Sequence, residues 1–117
     1  MSKSLYRVAY FNMPHTTSEH DFHVHKRIRC ELLATFGGYM DYIVNGAWKD
    51  TSDPCHVMRD PNQTRYEVAY DCRDMLTRES NFEKLRMIAL IAGVSLKQKA
   101  VYLVNHNGQV FIEEIEL

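Results

Sequence analysis

A chain of 117 residues, 45% hydrophobic and 11% aromatic, has apolar material for one core and predicts a single domain over residues 1–117. Fourteen Lys and Arg against fifteen Asp and Glu leave a formal charge of −1, which disfavours nucleic acid as a partner. No stretch reaches the roughly 18 apolar residues of a membrane span, and Met1–Tyr6 lacks the apolar run of a signal peptide, so the expectation is a cytoplasmic protein with no membrane partner.

Leu5–Phe11 is rich in β-favouring residues and stops at Asn12-Met13-Pro14, which predicts a first strand. Thr16-Thr17-Ser18-Glu19 supplies a Thr-x-x-Glu capping box. Phe22, His25, Ile28, Leu32, Leu33 and Phe36 then recur at helical spacing up to Gly37-Gly38, predicting a helix from about Ser18 to Phe36. Tyr39–Val44 is strand-like and continues through Asn45-Gly46-Ala47-Trp48, where Gly46 suggests a bulge or a close backbone approach. Lys49 to Thr64 carries Pro54, Pro61 and several turn formers, and reads as a long loop that covers a ligand.

Tyr66, Val68, Tyr70 and Cys72 alternate with Glu67, Ala69 and Asp71, the pattern of a strand with one buried face. Ser80-Asn81-Phe82-Glu83 reads as a second capping box. It is followed by Leu85, Ile88, Ala89 and Ala92 on one helical face, with Gly93 as the stop. Ala100–Val104 and Val110–Ile112 flank His106-Asn107-Gly108, and Asn-Gly between apolar strands signals a hairpin. The order βαββαβ with one terminal strand predicts a ferredoxin-like or PII-like α+β sandwich, an antiparallel sheet with two helices on one face and a C-terminal hairpin. Tyr39, Tyr42, Trp48 and Tyr102 are too many rings to leave bare on the other face, so oligomerisation through the sheet is expected.

Few motifs carry chemistry. Cys30, Cys55 and Cys72 are odd in number and far apart, with no Cys-x-x-Cys pair and no evident His partner, and read as reduced thiols. His20 and His23 share a helical face, but without a His-Glu-x-x-His pattern the expectation is no metal. Lys26, Arg27 and Arg29 could hold a carboxylate or a phosphate but read first as a solvated basic face, and there is no glycine-rich phosphate loop or nucleophile elbow. What remains is Gly46-Ala47-Trp48-Lys49-Asp50 together with Asp60 and Glu67, an aromatic ring beside carboxylates. That combination suits a cationic or heteroaromatic ligand, or else marks a core tryptophan flanked by surface acids.

Taken together, the first strand, the His- and Arg-containing first helix (His20 to Arg29) with its glycine stop, the Gly46-to-Asp50 run, Cys72-Arg73-Asp74, the alanine-containing second helix and the strand Ala100–Val104 show a resemblance. The chain resembles the small phage-encoded S-adenosylmethionine-degrading enzymes, trimers of PII-like sandwiches. The resemblance implies a lyase needing no cofactor, in which the substrate's own carboxylate displaces methylthioadenosine and leaves homoserine lactone, a phage anti-restriction activity. It also implies a homotrimer with intersubunit sites, an aromatic residue, tyrosine in the family, and a glutamate near the start of the third strand. Trp48 takes the aromatic place here, without a hydroxyl, and either Asp60 or Glu67 takes the acidic one; Gly46, Lys49 and Tyr66 are the further substrate-binding candidates. The alternative is a non-catalytic PII-like oligomer that binds a nucleotide or a protein.

Overall fold

Alternation of apolar and polar residues decides which face of each strand is buried, and the elements assemble around that choice. In the computed structural model, residues 5–15, 18–49 and 57–115 are described, those at 47–49 and 57–61 by their backbone alone. The elements are β1 (Tyr6–Pro14), α1 (Glu19–Phe36), β2 (Met40–Lys49), β3 (Val57–Asp71), α2 (Met75–Ser95), β4 (Ala100–Val104) and β5 (Val110–Glu114). They form one sheet in the order β2-β3-β1-β4-β5, antiparallel at every pairing. The expected α+β architecture is therefore present, with the C-terminal hairpin adding the fifth strand.

Ala9, Phe11 and Met13 of β1, Tyr66, Val68 and Tyr70 of β3, and Val101 and Leu103 of β4 form the buried face. They pack with Ile28 and Leu32 of α1 and Leu85, Ala89 and Ala92 of α2 in one core. Phe11 lies opposite both Tyr66 and Leu103, which makes β1 the spine of the sheet. Tyr39 belongs to this side too, its ring 6.4 Å from that of Tyr66, rather than to the open face where the sequence placed it. Tyr6, Val8, Met40, Tyr42, Val110 and Ile112 stand exposed on the other face. Among the described residues no helix is long and apolar enough to cross a membrane.

The helix ends differ from expectation in instructive ways. The cap of α1 is Ser18, whose Oγ accepts from the Asp21 N–H at 3.1 Å; Thr16, the first residue of the expected box, lies outside the described residues. Gly37 closes α1 as expected, at φ 80° with its N–H donating to the Leu33 carbonyl. The second helix begins five residues before Ser80, capped by Asp74, whose carboxylate accepts from both the N–H and the hydroxyl of Thr77. Met75 and Leu76 in that first turn face solvent, so no apolar periodicity announces it. Gly93 does not stop the helix. The left-handed residue beyond the end is Lys97, whose N–H donates to the Val94 carbonyl while Gln98 N–H donates to the Gly93 carbonyl, a Schellman closure.

The expected loop from Lys49 to Thr64 is largely strand. β2 runs to Lys49 and β3 starts at Val57, leaving only residues 50–56 between them, outside the described residues. Pro61 is accommodated because the pairing shifts there. Val44 faces Gln63 and Gly46 faces Asp60, so Pro61 and Asn62 together oppose Asn45 in a bulge. Asn62 takes φ 61°, its N–H donates to Asn45 Oδ1 at 3.0 Å, and its carbonyl accepts from the His15 N–H at 2.8 Å. The bulge expected at Gly46 is thus real, with the extra residue on the partner strand.

Gly93 is needed for close packing of α2 on the sheet. A Cβ there would lie 2.7 Å from both Ile115 Cδ1 and Val101 Cγ2, and Val101 is buried and stiff at χ1. Helix propensity favours alanine over glycine by up to ~1 kcal/mol, while overpacking costs about 1–3 kcal/mol, so packing wins. Gly93→Ala is expected to lower the unfolding free energy by about 1 kcal/mol, read as a lower urea midpoint at unchanged m-value.

Candidate functional site

β3 divides its side chains between two environments, and each gathers a polar cluster. On the open face Arg65 and Glu67 follow one another at the two-residue repeat, with Tyr42 opposite Arg65 on β2 and Tyr10 opposite Glu67 on β1. Tyr42 Oη donates to Glu67 Oε1 at 3.1 Å. The Arg65 guanidinium lies 4.1 Å from the Tyr10 ring centroid and 5.9 Å from that of Tyr42, and its Nε donates to Asn12 Oδ1 at 2.9 Å. A carboxylate holding one phenol still has acceptor positions for a ligand ammonium, and the neighbouring ring faces suit a base or a cation.

On the helix side, Tyr66 is fully buried and its hydroxyl bonds His25 Nδ1 at 2.5 Å, while His25 Nε2 lies 2.8 Å from the Pro14 carbonyl. A carbonyl only accepts, so Nε2 carries the proton, Nδ1 is the acceptor and Tyr66 is the donor. Desolvation by burial pushes the Tyr66 phenol up to about 12, opposed by the adjacent Arg29 guanidinium. Burial likewise holds the His25 imidazole below its ordinary 6.5. These groups border a cavity of about 270 Å³, together with His15, Phe22, Asp41, Tyr42, Ile43 and Thr64.

The candidates named from sequence are thereby separated. Tyr66 and Glu67, adjacent in the chain, face opposite sides of the sheet and cannot line one cleft within a subunit. Gly46 pairs with Asp60, Trp48 with Met58 and Lys49 with Val57, in the far half of the β2–β3 ribbon; the side chains of Trp48, Lys49 and Asp60 lie outside the described residues. By the rise of a strand, Asp60 is roughly 20 Å and Trp48's partner roughly 30 Å along β3 from Glu67. The residue that the sequence reading did not assign to the site is Tyr42. Its signal was only alternation, which sets it on the same face as Glu67 once the register is known.

Cys72 and His106 have structural surroundings. Cys72 is buried, its Sγ 3.5 Å from the Tyr70 carbonyl, and desolvation raises its pKa, the reverse of an activated nucleophile. His106 is buried with Nδ1 2.7 Å from the Tyr70 hydroxyl, and burial lowers its pKa. No group of three or more possible metal ligands occurs among the described residues.

No family model and no curated protein sequence matches this chain. Its fold, however, is that of known enzymes. A phage SAM lyase in its apo state superposes with a TM-score of 0.60 at 12% identity, covering 100% of this chain and 97% of that one. A phage SAM lyase in complex with S-methyl-5'-thioadenosine gives the same TM-score and identity, covering 100% and 95%. The likeness indicated by the order of elements thus holds for the fold along the whole chain.

Two consequences of the buried His–Tyr pairs are measurable. With the folded-state pKa of His25 and His106 lowered, the unfolded chain takes up protons below about 6.5 that the folded chain refuses, so stability falls as pH drops through that value. Urea unfolding at pH 7.5 and pH 5.5 should show the lower stability at pH 5.5, and an unchanged midpoint would contradict it. Tyr66→Phe leaves the buried His25 Nδ1 without its donor and is expected to cost about 1–3 kcal/mol.

Proposed function

We propose that this protein is a lyase that degrades S-adenosylmethionine to methylthioadenosine and homoserine lactone. The observation that carries the reading is the full-length fold shared with a phage SAM lyase solved with S-methyl-5'-thioadenosine. The reaction asks little of side chains. The substrate carboxylate oxygen bonds to the carbon beside the sulfonium, the carbon–sulfur bond breaks, and its electron pair leaves with the thioether. Such an internal displacement gains up to ~7–11 kcal/mol from proximity once the substrate is folded into the reactive shape.

Tyr42 and Glu67 are the groups best placed to hold that shape. Glu67 would accept from the substrate ammonium, and Tyr42 would both orient Glu67 and offer a ring face to adenine or the sulfonium. This pair supplies the phenol–carboxylate combination that Trp48 lacks. Arg65, pinned on Tyr10 and Asn12, would act as a positioning residue for the Tyr42 side. The open face is not a closed pocket in one subunit, and its exposed apolar residues favour association. In a homotrimer the β2–β3 ribbon of one subunit would bring Gly46, Trp48, Lys49 and Asp60 against the Glu67 face of the next. Removal of the methyl donor in the host cytoplasm would be a phage anti-restriction function.

Incubation with S-adenosylmethionine should release methylthioadenosine, followed by chromatography. Glu67→Gln should slow release by roughly tenfold or more, and Tyr42→Phe by less, since the ring is kept. Asp60→Asn tests whether the distal ribbon acid takes part. No release by the parent would leave a nucleotide- or protein-binding oligomer as the better reading, and full activity of both Glu67→Gln and Tyr42→Phe would move the site elsewhere. Sedimentation should show a trimer at micromolar concentration; a monomer would remove the intersubunit site.

A further inference from the structure

We infer that the cavity on the helix side of the sheet, between α1 and the β2 edge, binds a free α-amino acid with an apolar side chain. Its floor is the closed hydrogen-bond chain from Tyr66 through His25 to the Pro14 carbonyl, which is neutral and has no spare proton to offer. Two opposite charges flank that floor. Arg29 comes from α1, one helical face onward from Phe22 and His25, and Asp41 sits directly opposite Tyr66 across the β2–β3 pairing. Both act on the Tyr66 hydroxyl, Arg29 favouring its ionised form and Asp41 opposing it, so both charges lie near the same point. Yet they form no ion pair with each other, and neither has an ion-pair partner among the described residues.

A guanidinium and a carboxylate held apart over a neutral floor match the two ends of a zwitterion. The ligand carboxylate would take the guanidinium fork of Arg29 and its ammonium the Asp41 carboxylate. Phe22 and Ile43, 59% and 58% exposed, are two large apolar groups on the lining that an aliphatic side chain could cover. The volume of about 270 Å³ is below the ~300–1,000 Å³ of sites for drug-sized molecules and is enough for a single amino acid. Tyr42 also borders the cavity, but the Glu67 carboxylate lies on the other face of the sheet, and the site does not depend on S-adenosylmethionine degradation.

The test is calorimetric titration of the full chain with L-leucine, beside L-leucinol, which lacks the carboxylate, and 4-methylpentanoate, which lacks the ammonium. L-leucine should bind, and each single-charge analogue should bind roughly tenfold or more weakly, as expected for loss of one charge-assisted contact. Arg29→Gln should abolish the preference for L-leucine over L-leucinol, and Asp41→Asn the preference over 4-methylpentanoate. Thermal unfolding of each variant reports that it is folded, and the analogue series on the parent protein needs no variant at all. Absence of L-leucine binding at millimolar concentration would overturn the proposal, as would equal binding of all three ligands or undiminished selectivity in both variants. Loss of L-leucine binding in Glu67→Gln with retention in Arg29→Gln would assign the ligand to the open face and overturn it as well.

Discussion

The two-residue alternation along β3 is the constraint on which the rest of the structure depends. Because β3 is paired on both sides, with β2 and with β1, its register cannot slip by one residue without exchanging Tyr66, Val68 and Tyr70 for Arg65, Glu67 and Ala69 at the core. Burying Arg65 and Glu67 under two helices would cost several kcal/mol per ion, far more than one ladder step could return. The same alternation that secures the core therefore delivers Glu67 to the open face beside Tyr42, and delivers the Tyr66 hydroxyl to the cavity under α1. Folding and the separation of the two polar clusters have one cause.

Tyrosine in that core brings an obligation that leucine would not. A buried hydroxyl needs a partner, and β3 buries two, each answered by a histidine: His25 from α1 for Tyr66 and His106 from the β4–β5 turn for Tyr70. The pairs tie the sheet to a helix at one end and to the terminal hairpin at the other. They are directional, unlike the aliphatic contacts around them, and so fix how α1 and the hairpin sit on the sheet. His25 is bonded at both ring nitrogens, which keeps Tyr66 aimed at it, while Arg29 reaches the same hydroxyl from α1.

Much of this architecture is legible in the residues, for local physical reasons. Strand alternation in Tyr66–Cys72, the apolar stripe of α1, Gly37 as its stop and the turn at Asn107-Gly108 each rest on interactions within a few positions. What was not legible depends on distant partners. Gly93 carries the mark of a helix stop, but its role is set by Val101 and Ile115, and Lys97 takes the left-handed position. Pro61 and Asn62 carry the mark of a loop, but Asn45 and His15 satisfy the bulge that keeps them in a strand. For the same reason Trp48 stands out in the sequence as a ring beside carboxylates, while Tyr42, one of seven tyrosines, is distinguished only by the register that places it against Glu67.

A shared fold at 12% identity is what these constraints predict. The core demands apolar residues at alternate strand positions and at helical spacing, with volume and pattern kept rather than identity. Helix caps accept Ser or Asp alike, as Ser18 and Asp74 show here. A sequence can therefore change at most positions and return to the same sheet with the same two helices. Chemistry is less tolerant, because a carboxylate acts only where its partner reaches it. The Tyr42–Glu67 contact is the kind of feature on which a functional argument must stand, since it joins two strands, is satisfied without help from the core, and leaves its carboxylate open to a ligand.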